Sequence, residues 1–192
     1  VFPGSRAEEI LREQLAVLDI TEISVFEAFY YELDGTAFYE LVFSPSYEKI
    51  KVASEFGSVK LGEVCPRGTA WITEDGIAAM RLEDYCGKLT EQSENGKILT
   101  FPQVTDVLEK YLENNMLCGS SKAKLTQAEL VYYPTLEEGK LILTPAWHIY
   151  IPMKEMQESL EAGDQAWQEA AANGAAWNIY MDAVTGELIR VE

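Results

Sequence analysis

The stretch ISVFEAFYYELDGTAFYELVFSP, Ile23–Pro45, decides the fold. Two runs rich in β-branched and aromatic residues flank Asp34-Gly35. Such a dipeptide accepts positive φ at both centres of a tight type I′ turn, so the segment predicts a hairpin. Its strands are expected over about 22–33 and 36–44, with Pro45 ending the second because proline cannot donate to a ladder. Just upstream, SRAEEILREQLAVLD places Ile10, Leu11, Leu15 and Leu18 on one helical face, and Ser5 with Glu8 has the spacing of a capping box. A helix over about 5–18 would therefore cover one face of the hairpin.

Downstream, the same order of elements recurs. Residues 46–69 give no clear pattern, but AWITEDGIAAMRLED predicts a second hairpin turning before Gly76. After an exposed connector comes LTFPQVTDVLEKYLENN. There Thr100 and Gln103 repeat the capping-box spacing, Pro102 suits the first turn, and Val104, Val107, Leu108, Tyr111 and Leu112 form an apolar face. KLTQAELVYYPTLEEGKLILTPAWHIYIP predicts two strands across a turn at Glu137–Gly139. The acidic, alanine-rich stretch after Pro152 is expected as a helix over about 153–161, continued past Asp164 by a further helical turn or by a loop. AWNIYMDAVTGELIRV closes the chain as a hairpin.

The expected fold is α+β: two helix-on-antiparallel-sheet units related by internal duplication. The first spans 1–86, a connector 87–99, and the second 100–192. Ala70-Trp71 and Ala176-Trp177 are read as equivalent strand starts with buried tryptophans. The sheet faces away from the helices are expected to carry Phe26, Tyr30, Phe38 and Tyr39 in one half and Tyr132, Tyr133, Trp147 and Tyr150 in the other.

With 32 acidic against 15 basic residues the net charge is −17. Nucleic acid and anionic lipid are poor partners for such a surface, which suits solubility or a basic partner. No apolar run of about 18 residues is present to span a bilayer. The chain begins at Val1 rather than Met, from which a removed targeting segment, with a signal sequence and lipid-attachment cysteine upstream, is expected. Cys65 and Cys86 flank the hairpin at 70–82, so they either pair or stay thiols; Cys118 is the third cysteine. None sits in a CxxC, and zinc would need about four close-set ligands, so no metal or cofactor is expected.

The final hairpin carries Tyr180, Asp182, Ala183, Thr185, Gly186, Glu187 and Ile189 in the order Y-x-D-A-x-T-G-E-x-I. This resembles the closing motif of PepSY-type domains. In that motif Asp182 and Thr185 would bond turn amides and Gly186 would supply a positive φ. LTPAWHIYI is similar to the preceding strand of the membrane-tethered YycH and YycI regulators of a bacterial sensor kinase, and the whole chain resembles a group of secreted or lipid-anchored proteins of Gram-positive gut bacteria. The segment 153–172, inserted between the two strand motifs, departs from that pattern. The resemblance implies an extracytoplasmic, membrane-tethered regulatory module.

No P-loop, GxGxxG, GxSxG or HExxH occurs, and the one histidine, His148, lies within an expected strand. The expected function is a non-catalytic module at the cell envelope that binds a protein or peptide, a basic one by charge. The expected site is Trp147, His148, Tyr150, Trp177 and Tyr180. The alternatives are a hydrolase built on carboxylates or a structural surface protein.

Overall fold

The computed structural model describes residues 2–54, 64–85, 96–114, 125, 127–152 and 176–191, with the backbone alone at 113, 114, 152, 176 and 177. The expected helix at 153–161 and the residues around Asp164 lie outside these, as do Cys86 and Cys118. The architecture is α+β, with two helix-and-sheet units. By spatial grouping the chain divides into two compact units, residues 1–92 with 134–143, and residues 93–133 with 144–192.

In the first unit, helix α1 (Gly4–Val17) precedes strands β1 (Ile23–Leu33), β2 (Thr36–Tyr47), β3 (Ile50–Lys51), β4 (Arg67–Thr73) and β5 (Gly76–Glu83). The sheet is an antiparallel meander β1-β2-β4-β5, with β3 paired to the far end of β2. Ala7, Ile10, Leu11 and Leu15 of α1 pack on Ile23, Leu41, Phe43, Ala70 and Ile72. Each large side chain buried there contributes about 1.5–3 kcal/mol. The helix starts one residue earlier than its sequence suggests, so Ser5 falls inside the first turn. Pro3 is the N-cap, without a side-chain bond, and Glu8 takes Arg12 instead, at 2.6 Å. At the other end Asp19 adopts φ 59°, and the Ile20 amide donates to the Leu15 carbonyl. This reversal folds Ile20 back onto the core.

Pro45 and Trp71 also depart from expectation in this unit. Pro45 does not end its strand: β2 continues to Tyr47, because position 45 contributes a carbonyl, which accepts from Val52 N at 2.8 Å. Trp71 is only half-buried. Its neighbours Ala70 and Ile72 face α1, and strand alternation turns Trp71 to the opposite face.

In the second helix-and-sheet unit, helix α2 (Phe101–Asn114) precedes β6 (Gln127–Glu137), β7 (Lys140–Pro152), β8 (Ala176–Asp182) and β9 (Leu188–Val191), again a meander β6-β7-β8-β9. The ends of β6 and β7 next to their turn, within residues 134–143, group with the first compact unit. Here the capping pattern holds: Gln103 Oε1 accepts from Thr100 N at 2.9 Å and from Thr100 Oγ1 at 2.8 Å. Val104 and Leu108 pack on Ile149, Ile151, Ile179 and Met181. The closing turn is built as its residue types require. Asp182 Oδ1 accepts from Val184 N and Thr185 N at 2.7 and 2.8 Å, Thr185 Oγ1 accepts from Glu187 N at 3.1 Å, and Gly186 has φ 76°.

The two units repeat a helix followed by a four-stranded meander, and their central pairs match in register, although the stretch from the first turn to those pairs is longer in the second unit. Leu41 opposes Ala70 as Ile149 opposes Ile179, and Glu40 opposes Trp71 as His148 opposes Tyr180. The last hairpin of each unit carries a bulge at the same place, between Trp71 and Ile72 and between Tyr180 and Met181. The first turn of each uses two positive-φ residues, Asp34-Gly35 and Glu138-Gly139. This register corrects the expected pairing of tryptophans: Trp71 corresponds to Tyr180, and Trp177 corresponds to Gly68. The Trp177 side chain lies outside the described residues.

Candidate functional site

Strand alternation divides the five expected site residues. Trp147 turns towards α2, where its Nε1 donates to the Leu99 carbonyl at 3.1 Å and its ring lies 5.7 Å from Phe101. Tyr39 occupies the matching place in the first unit, facing α1 and donating to the Phe2 carbonyl at 3.3 Å. Neither ring sits on the face away from its helix, where both were expected. His148, Tyr150 and Tyr180 do share that opposite face. Trp177 enters only through its backbone, opposite Ile151.

His148 is the centre of a chain across three strands. Its Nδ1 lies 3.3 Å from Glu129 Oε1 on β6, and its Nε2 lies 2.9 Å from Asn178 Oδ1 on β8. The imidazole stacks on Tyr180 at 4.5 Å and 7°, and Tyr133 tilts against the far side of the cluster at 5.0 Å from Tyr180. Its side chain is 13% exposed, and Tyr180 is buried. Burial pushes the Tyr150 phenol upward. Both ring nitrogens of His148 are engaged within the sheet. Glu129 and Asn178 carry no motif of their own. Asn178 could have been found from the sequence, since it sits two residues before Tyr180 and thus on the same strand face.

The first unit presents a different surface. β1 is an edge strand of 11 residues with no strand on its outer side among the described residues. β4 pairs with β2 only over Tyr39–Phe43, so β1 from Tyr31 onward and the start of β2, up to Phe38, form a two-stranded arm. The hairpin at and next to this arm is aromatic on both faces. Tyr31 stacks on Phe38 at 5.2 Å on one face, and Tyr30 meets Tyr39 edge-on at 5.4 Å on the other. Phe29, Tyr30, Tyr31 and Leu33 are exposed, by 45%, 42%, 42% and 65%. A bulge between Val25 and Glu27 sets this arrangement. Before it, Ile23 and Val25 point to α1; after it, the extra residue Phe26 shifts the alternation, and Tyr30 shares the α1 side while Glu27, Phe29 and Tyr31 take the other.

Carboxylates accompany the aromatics. Tyr30 Oη lies 3.4 Å from Glu32 Oε2, and Tyr31 hydrogen-bonds Glu40. Glu27 is held above the ordinary glutamate value, by desolvation first; Arg67 opposes the shift and Glu40 adds to it. Among the described residues no three His, Cys, Asp or Glu side chains converge to hold a metal ion. Cys65 is buried, and its amide donates to Asp84 Oδ2 at 3.1 Å. No described helix is long and apolar enough to cross a membrane.

No protein-family model matches the sequence, and no curated protein matches it. Among solved structures, the chain is similar to an uncharacterized protein from Eubacterium rectale ATCC 33656, with a TM-score of 0.59 at 17% identity. The match covers 100% of this chain and 56% of that one, so the chain spans a little over half the length of its structural relative. At that identity the likeness shows the fold alone.

Proposed function

We propose that the protein is a non-catalytic module of the bacterial cell envelope, of the PepSY and YycI type, that holds a protein or peptide segment on the outer edge of β1. One observation carries this. An edge strand of 11 residues lacks a strand neighbour among the described residues and ends in exposed aromatics on both faces. Edge strands offer unpaired amides and carbonyls at alternate residues, and proteins otherwise blunt them with short length, charges, proline or bulges. β1 is long and has no lysine or proline, and its bulge lies before the aromatic end. Added strands gain affinity from the ladder and specificity from the side chains beside it. The envelope location rests on the PepSY-like final turn and on the two repeated units, which suit an origin by duplication. The imidazole supports the absence of catalysis, because it is used inside the sheet. Binding is thus moved from the expected face around His148 and Tyr180 to β1.

The test is photocrosslinking in the native envelope fraction from a probe at position 29, with a probe at position 109 as control. A partner captured from position 29 alone is expected. Equal labelling from both positions sinks the proposal. So does turnover on a peptide, ester and glycoside panel that Glu27→Gln or Glu40→Gln abolishes.

A further inference from the structure

We infer that the β1 edge takes an extended segment that carries lysine or arginine at alternate positions. The inference rests on the proposed binding role of β1 and names the chemistry of what binds there. Between Arg12 and Lys49 the chain has eight acidic residues and no basic one. All of β1 and β2 falls in that interval. Of the bases near the start of β1 and beside it, Arg12 is bonded to Glu8 and donates to the Ile23 carbonyl at 3.3 Å, and Arg67 acts on Glu27. The β1–β2 hairpin therefore carries carboxylates and no base in its own sequence. They lie on both faces, Glu32 on the Tyr30 side near the tip and Glu40 on the Tyr31 side where β2 meets β4.

An added strand sends its side chains alternately to these two faces. On either face a cationic side chain would find an aromatic ring and a carboxylate together, so ring and charge act on the same group. The same pattern disfavours the other obvious occupant, a second copy of this chain. Pairing two such arms edge to edge would bring like-charged carboxylates side by side, which is destabilising. The overall charge of −17 opposes it further.

The experiment uses the whole chain and three fluorescent peptides of about ten residues, a usual strand length, with alternating Lys-Val, Ser-Val and Glu-Val sequences. The Lys-Val peptide is expected to bind and to slow amide exchange in β1 but not in β5. Its affinity should fall about threefold or more in Glu32→Lys, stay unchanged in Glu109→Lys, and weaken with salt. Equal β1 protection by Lys-Val and Ser-Val overturns the charge inference and leaves the edge as a peptide site. If no peptide protects β1, the binding proposal fails as well. Self-association that protects β1 assigns the edge to a second copy and overturns the inference.

Discussion

Gly68 shows how one residue can hold a sheet and its core together. It opposes Phe43, and a Cβ built on it would lie 2.2 Å from the Phe43 ring. The glycine leaves the space that the fully buried ring fills. Gly68→Ala should cost about 1–3 kcal/mol by forcing that ring aside, measured by urea denaturation, whereas Gly35→Asn at φ 79° should be nearly neutral. His148 is held in a different way, between Glu129 and Asn178. His148→Ala takes a partner from two half-buried polar groups and should cost about 1–3 kcal/mol. Glu27 gives the pH signature. Its pKa is raised on folding, chiefly by desolvation, so the fold favours its protonated form. That contribution is present at acid pH and is lost as pH rises from the ordinary glutamate range through the raised value. Glu27→Gln should therefore stabilise the protein at neutral pH and change little below that window, as thermal melts across pH would show. Unchanged melts at neutral pH would rule it out.

Hairpins were the elements best read from sequence, because turn chemistry is local. Asp34-Gly35 and the Glu137–Gly139 region both turn with positive φ as expected, and the final Asp-x-x-Thr-Gly turn makes its predicted bonds. The hairpin between β2 and β3 was missed. Its centre is Glu48-Lys49, at φ 51° and 68°, residues that give no turn signal because neither prefers that region. Replacing them by Asn-Gly should stabilise the fold by about 1 kcal/mol, read as a shift in the denaturation midpoint without a change in slope. The β1 bulge was also invisible in sequence. One extra residue changes which side every later side chain takes, and no local preference marks where it falls. The bulge puts Tyr30 on the α1 side, whereas Tyr39 and Trp147 face their helices through the ordinary alternation of β2 and β7.

At the scale of the molecule each unit carries its own core, one around Leu11 and Phe43, the other around Leu108 and Ile149. Leu11→Ala should cost about 2–5 kcal/mol and raise exchange first in β1–β5, while Leu108→Ala should do so first in β7–β9. Uniform loss of protection by either substitution would show that the two cores do not open separately. The sequence by itself determined the α+β class, both helices, the main hairpins and the repeated order, because periodicity and turn residues act within a few positions of themselves. It could not determine that Trp71 corresponds to Tyr180, that Trp147 turns inward to Leu99, or that His148 is held from both sides by Glu129 and Asn178. Those depend on register and contacts between residues 19 to 48 positions apart in the chain. A shift of one position exchanges the faces of a strand, so only the assembled sheet decides which side chains meet.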